Sequence, residues 1–135
     1  GNWDYSTYGQ KLKKKYSTFE NLKLLDPIYD QVTLDELRSN CALYIHGHSV
    51  GGTNPSLVEA MNLGLCIVSF KIDYNIETTE NKAIYFSDAN DLINILNNYK
   101  NNLINVDAYK VVMKEIAVRR YKWDIITKKY SKIFK

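Results

Sequence analysis

The sequence of 135 residues has little cysteine, little proline and no long apolar run. Its two cysteines, Cys41 and Cys66, both lie in apolar segments, so we expect reduced core thiols rather than a disulfide framework. No apolar run approaches the roughly 18 residues of a membrane span, and the first residues lack the charged and then apolar layout of a signal peptide. These absences favour a cytoplasmic protein.

The chain also lacks a strong excess of charge. Lysine and arginine number 18 against 15 acidic residues, and the net charge of +3 is too small for a dedicated nucleic-acid binder. Hydrophobic residues make up 45% and charged residues 24%, a balance typical of globular proteins and not of disordered ones. At roughly 150 residues per domain, the length allows a single domain.

The first third of the sequence predicts two helices and a strand. Apolar residues recur every four positions at Tyr8, Leu12 and Tyr16, with lysines between them, which is typical of a helix with a basic face. The half-alternating segment 21–25 predicts a strand that ends before Pro27. A capping-box spacing then predicts a short helix over 33–37.

The middle of the sequence alternates strands with a helix. Asn54 and Pro55 are good residues for the start of a helix, and Gly64 for its end, so a helix is predicted over 56–63. The polar segment 71–82 is predicted to be irregular. Three apolar runs predict strands, the first two of the kind buried on both faces: 41–45, 66–70 and 83–86.

Beyond residue 88 the apolar spacing is helical throughout. We therefore expect an α/β part over 1–88, with a Rossmann-like parallel sheet covered by helices on both faces, and an all-helical tail over 89–135. In such sheets ligands bind beyond the carboxyl ends of the strands, where polar and small residues concentrate in this sequence.

The segment from His46 to Met61 is the most informative part of the sequence. It predicts a glycine-rich turn from a strand into a helix, in which Gly47, Gly51 and Gly52 allow close approach of a ligand and positive φ. Free amides in the first helical turn would then form an anion site for a phosphate. The pattern is neither a Walker A loop nor a dinucleotide fingerprint.

This segment carries a resemblance to a known family. The runs Gly51–Met61 and Asp73–Lys82 resemble the donor-binding half of GT-B glycosyltransferases of the family 4 type, and most closely the bacterial rhamnosyltransferases. The resemblance implies a retaining enzyme that moves a hexose or rhamnose from a dTDP-, UDP- or GDP-linked donor to a surface polysaccharide or lipid-linked glycan. It implies no metal and no cofactor beyond the donor.

The resemblance also implies roles for individual residues. Glu59 matches the second glutamate of the family's E-x7-E motif, which binds the ribose. The residues implied at the nucleotide and phosphates are Glu59, Ser56, Leu57, Gly52, Thr53 and Ile28, the last through its main chain. Those implied near the donor sugar are His48, Ser49, Gly51, Asp73 and Asn75. The family has no settled protein nucleophile, so no catalytic residue is assigned.

The sequence departs from the family in two respects. The position of the first motif glutamate is Gly51, so the usual carboxylate on the donor sugar is missing. The first strand of this half, its basic loop and the acceptor domain are also not in the sequence. We therefore expect a fragment that is inactive alone. Two vacant strand positions would leave apolar edges, and we expect either an intimate or strand-exchanged oligomer or direct re-pairing of those strands.

Other interpretations stay open beside this one. A non-catalytic nucleotide-binding or assembly module would have the same fold. A zinc site at His46 and His48 lacks obvious further ligands, and a receiver-like signalling domain would need an acidic pair near the start. The basic helix faces, which include the segment 128–135, could contact an anionic membrane at the inner face of the cell.

Overall fold

A computed structural model describes residues 2–134 of the chain. By its internal contacts the chain divides into two units, one up to Glu36 and one from Leu37 onward. The first contains a 3₁₀ turn, Trp3–Tyr5, and helix α1, Thr7–Tyr16, which confirms the first predicted helix. Helix α2, Gln31–Ser39, begins in the first unit and ends in the second.

Close packing of the 3₁₀ turn on α1 requires a glycine at position 9. A Cβ added to Gly9 would lie 2.5 Å from the carbonyl oxygen of Trp3, closer than real Cβ atoms come to backbone. Asp30, and not Thr33 as the capping-box spacing predicted, caps α2, because its Oδ2 accepts a hydrogen bond from the amide of Thr33 at 2.8 Å. No residue from 2 to 36 is fully buried.

The predicted strand over 21–25 is wrong. Residues 17–30 contain neither helix nor strand, and Leu22 and Leu25 are each more than 40% exposed. Their spacing resembled that of a strand, but the segment 21–25 has no strand hydrogen-bonding in the described part of the chain. Direct re-pairing across two vacant strand positions, one of the expected outcomes, is therefore also wrong.

The second unit is a mixed α/β structure with a small parallel sheet. The sheet has three strands in the order β1-β2-β3, with Ile45 opposite Val68 and Ser69 opposite Tyr85. The strands are β1, Tyr44–His46; β2, Ile67–Phe70; and β3, Ile84–Phe86. All three had been predicted, although β1 begins three residues later than expected.

The two faces of the edge strand β1 differ. Ile45 is 45% exposed, so the prediction that this strand is buried on both faces is wrong. In contrast, Ile67, Val68 and Ser69 of the central strand β2 are fully buried. Pairing of two copies of the chain through the free side of β1 stays a prediction.

Helix α3, Pro55–Asn62, follows β1 and packs on a later helix, α6, Val106–Arg120. The start and end of α3 agree with the prediction within one residue. Gly64 has a φ of +71°, the left-handed conformation that a glycine adopts without strain at a helix end. The core joins α3, α6 and the sheet through Leu57, Ala60, Met61, Leu65, Ile67, Ala83, Met113, Ile116 and Ala117.

The segment 71–82 is not irregular, as had been predicted, but contains helix α4, Asp73–Thr78. Asn75 and Thr78 of this helix and Thr79 directly after it are buried, and each side chain is hydrogen-bonded to backbone or to another side chain. Thr79 Oγ lies 2.7 Å from the carbonyl oxygen of Asn75, to which it donates, and 2.6 Å from the hydroxyl of Tyr85. Thr78 Oγ donates to the carbonyl of Tyr74.

The remaining chain is helical, as expected. Helix α5, Ala89–Lys100, is capped by the side chain of Asp88, and helix α7, Trp123–Ile133, follows α6 after a two-residue turn. Ion pairs join the end of α6 to Glu77 of α4 and to Glu80, two residues after that helix. Arg119 Nη2 and Glu80 Oε2 are 2.6 Å apart, and this contact with Arg119 lowers the pKa of Glu80. Within residues 2–134, no helix combines the length and apolar character that crossing a membrane requires.

Candidate functional site

The loop of residues 47–54 connects the carboxyl end of β1 to α3, as expected. Asn54 Oδ1 accepts hydrogen bonds from the amide of Ser56 at 3.0 Å and from its hydroxyl at 2.7 Å. Gly51 has a φ of +104°, so it is the one glycine of this loop in a conformation that a side chain would strain. A Cβ on Gly47 or Gly52 would meet nothing within 4 Å, which leaves the surface of the loop open.

The amides expected to hold a phosphate are already bonded. The amide of Ser56 donates to the side chain of Asn54, and that of Leu57 donates to the carbonyl of Asn54 at 3.1 Å. Leu57 is moreover fully buried. The premise that these two amides are free is wrong, because the cap that starts the helix uses them.

Other loop amides remain available. Gly51, Gly52 and Thr53 are exposed, and their amides find no acceptor among residues 2–134. They belong to the same loop, one to three residues before the cap. If an anion binds at this end of the sheet, these amides are its natural donors.

The side chain of Asn75, a residue of α4, is hydrogen-bonded to the start of this loop. Its side-chain amide donates to the carbonyl of His48 and to that of Phe70, both at 3.0 Å. Asn75 is only 3% exposed. It therefore ties the loop after β1 to the end of β2, which is a positioning role, and the contact with a donor sugar that the resemblance implied stays a prediction.

Glu59 lies on α3 and is oriented by an arginine. Arg38 Nη1 donates to Glu59 Oε2 at 2.7 Å, with the arginine side chain 13% exposed and the glutamate side chain 45% exposed. A charge-assisted hydrogen bond of this length fixes the carboxylate while its exposed part can still accept hydrogen bonds. No sequence pattern pointed to Arg38, because it precedes Glu59 by 21 residues.

An open groove of about 670 Å³ runs beside Glu59. It lies between α3 and the turn from α6 to α7. Of the predicted site residues, Thr53 and Glu59 line it. Its other lining residues are Pro55, Val58, Asn62, Tyr121, Lys122, Trp123, Asp124 and Ile126. The groove thus combines two carboxylates, those of Glu59 and Asp124, and the amine of Lys122 with aromatic and aliphatic surface.

His46, at the end of β1, and His48, in the loop, stack on each other and do not form a metal site. Their ring centroids are 5.4 Å apart and the rings are nearly parallel. Residues 2–134 contain no group of three or more histidine, cysteine or acidic side chains placed to hold a metal ion. His46 is buried and His48 is exposed.

Burial lowers the pKa of His46 below its ordinary value of 6.5, and the neighbouring His48 lowers it further. His46 Nε2 has no hydrogen-bond partner in the described chain. The folded protein therefore binds a proton at His46 less readily than the unfolded chain does, and stability falls as the pH drops below 6.5. We expect unfolding by urea at pH 5.5 to need less denaturant than at pH 7.5.

In His46→Leu this difference between the two pH values should shrink, while in His48→Gln most of it should persist. An unchanged pH dependence in His46→Leu would contradict the assignment to His46.

The remaining predicted residues are spread out. Ser49 lies in the exposed loop and Asp73 is the first residue of α4. Ile28 belongs to the first unit, in a segment without regular structure. In the second unit Asn75 contacts the start of the loop, Thr53 and Glu59 line one groove, and Arg38 binds Glu59.

Comparison of the chain with protein-family models, curated proteins and solved structures gives no significant match in any of the three.

Proposed function

We propose that this chain is the nucleotide-sugar-binding part of a retaining glycosyltransferase with a GT-B, Rossmann-like donor domain of the family 4 type. The observation that carries this proposal is the carboxylate of Glu59, held by Arg38 at 2.7 Å on the helix that follows a parallel strand and a glycine-rich loop. Ligands of parallel α/β sheets bind at such strand-to-helix turns.

The chemistry of Glu59 suits a ribose. Its carboxylate is partly exposed and already fixed, so it can accept hydrogen bonds from the two neighbouring hydroxyls of a ribose with little loss of side-chain freedom. The diphosphate would lie on the loop, where Gly51, Gly52 and Thr53 are exposed and their amides have no acceptor among the described residues. These amides replace those of Ser56 and Leu57 in the proposed site.

The transferred group is a hexose such as rhamnose, and the acceptor is a surface polysaccharide or lipid-linked glycan. We place this reaction in the cytoplasm, in agreement with the free thiols of Cys41 and Cys66. Only donor binding is assigned to this chain.

One observation favours a second candidate, a non-catalytic nucleotide-binding or assembly module. Gly51 occupies the position of the family's first motif glutamate, and its φ of +104° disfavours any side chain there. The loop therefore offers no carboxylate to the donor sugar at this position. Such a protein would bind the nucleotide, and the sugar of a nucleotide sugar would add no affinity.

Titration with dTDP, UDP and GDP by calorimetry tests the proposal. We expect saturable binding of one of them and about tenfold weaker binding to Glu59→Gln, because a charge-assisted hydrogen bond becomes a neutral one. The matched control is Glu115→Gln, an exposed carboxylate on α6, which should bind as the original chain does. Equal affinity in both variants, or no binding of any nucleotide, would contradict the proposal.

The same titration with the corresponding nucleotide sugar separates the two candidates. A donor site should bind the nucleotide sugar more tightly than the free nucleotide. Equal affinity for both would favour the non-catalytic module.

A further inference from the structure

Helix α7 presents an uncovered aromatic face. Trp123, Tyr130 and Ile133 are 78%, 60% and 74% exposed, and Phe134, which follows the helix, is 83% exposed. Their spacing of three, four and seven residues places them on one side of the helix. An open groove of about 660 Å³ runs along this side, lined by residues of α7 and by Phe134. Such an apolar face in water is costly and is typical of an interaction surface.

The other side of α7 is basic. By helical spacing, Lys128 and Lys132 lie opposite the aromatic face and Lys129 lies at its edge beside Ile133, while Lys122 immediately precedes the helix. Asp124 is the one acidic residue of α7. Lys135 lies outside the described residues. The helix is therefore amphipathic, with aromatic side chains on one face and net positive charge on the other.

We propose that α7 and Phe134 bind the surface of an anionic lipid bilayer. Indole, phenol and phenyl rings partition into the boundary between headgroups and acyl chains, which is where Trp123, Tyr130 and Phe134 would insert. The lysines complement the negative charge of the lipid headgroups. With 11 residues, α7 is too short to span the membrane and would lie in its plane.

This surface is separate from the loop and from Glu59, which form the proposed nucleotide site. Trp123 and Ile126 line both grooves, however, so the apolar face begins beside the groove of Glu59. A bilayer bound to α7 would therefore lie close to that groove. The inference does not depend on nucleotide binding.

Co-sedimentation of the whole chain with lipid vesicles tests the proposal. We expect binding to vesicles of 30% phosphatidylglycerol in phosphatidylcholine and at least tenfold weaker binding to phosphatidylcholine alone. Added salt should weaken the binding to the anionic vesicles. In the double variant Trp123→Ala, Phe134→Ala we expect at least a tenfold loss of affinity, because two inserted rings are removed.

Charge removal is tested with a matched pair of triple variants. Replacing Lys128, Lys129 and Lys132 with glutamine should weaken binding by about fivefold for each lysine near the surface. Replacing Lys11, Lys14 and Lys15 of α1 with glutamine removes the same charge elsewhere and should have a much smaller effect. The aromatic control, Tyr5→Ala with Tyr29→Ala, removes two exposed rings outside α7.

Several results would overturn the proposal. No binding to anionic vesicles at low salt would do so, as would equal losses in the α1 and α7 lysine variants, which would indicate general electrostatic attraction. Retained binding in the Trp123→Ala, Phe134→Ala variant would exclude the aromatic face. An oligomer without lipid that this double variant dissociates would show that a second copy covers α7 instead.

Discussion

Met113→Ala is expected to lower the free energy of unfolding by about 3 kcal/mol, the typical cost of truncating a fully buried methionine. Met113 lies on α6, has no exposed surface and belongs to the core cluster that also contains Leu57 and Met61 of α3. Its removal leaves a cavity between the two helices that connect the candidate site to the C-terminal part of the chain. Urea denaturation, followed by circular dichroism, measures the change.

The matched control for this prediction is Val111→Ala on the same helix. Val111 is 57% exposed, so its truncation removes little buried surface and should change stability by less than about 0.5 kcal/mol. If both variants lost the same stability, the packing of α6 described above would be wrong.

Asn75→Ala is expected to cost about 2 kcal/mol and to release the loop before α3. The variant removes the buried side-chain amide that donates to the carbonyls of both His48 and Phe70. A buried carbonyl left without a donor lowers the free energy of unfolding. We expect faster hydrogen exchange at the amides of residues 49–53 and weaker binding of any nucleotide that uses this loop. Asn75→Asp should be worse, because a carboxylate would face two carbonyl oxygens.

The control is Asn94→Ala, which removes an exposed asparagine from α5 and should alter neither stability nor exchange in the loop. Unchanged exchange at residues 49–53 in Asn75→Ala would contradict the positioning role, whether or not a nucleotide binds. Hydrogen exchange thus tests Asn75 independently of the proposed function.

Local chemistry made part of this fold predictable. The boundaries of α3 follow from Asn54, Pro55 and Gly64, since each acts on the backbone within a few residues of itself. The apolar runs likewise located β2 and β3. These elements can be predicted from the sequence because they depend on interactions between residues that are close together along the chain.

What the sequence did not reveal depends on contacts between distant residues. Helix α4 looked like a polar loop because Asn75, Thr78 and Thr79 are buried through hydrogen bonds to backbone, which hydropathy cannot report. The segment 21–25 had the alternation of a strand but lacks a partner. The predicted span of α3 already placed Glu59 on this helix. Its ion pair with Arg38, however, links two elements that come together only in the folded chain.

Nuclear magnetic resonance of the 15N-labelled chain tests the central claim most directly, because it shows which amides respond to a nucleotide. Titration with the nucleoside diphosphate that binds best should shift the amides of Gly51, Gly52 and Thr53 and those of α3 around Glu59. These shifts should saturate together and weaken in Glu59→Gln. No shifts at saturating nucleotide, or shifts confined to α5 and the end of α6, would contradict a nucleotide site at the turn from β1 to α3.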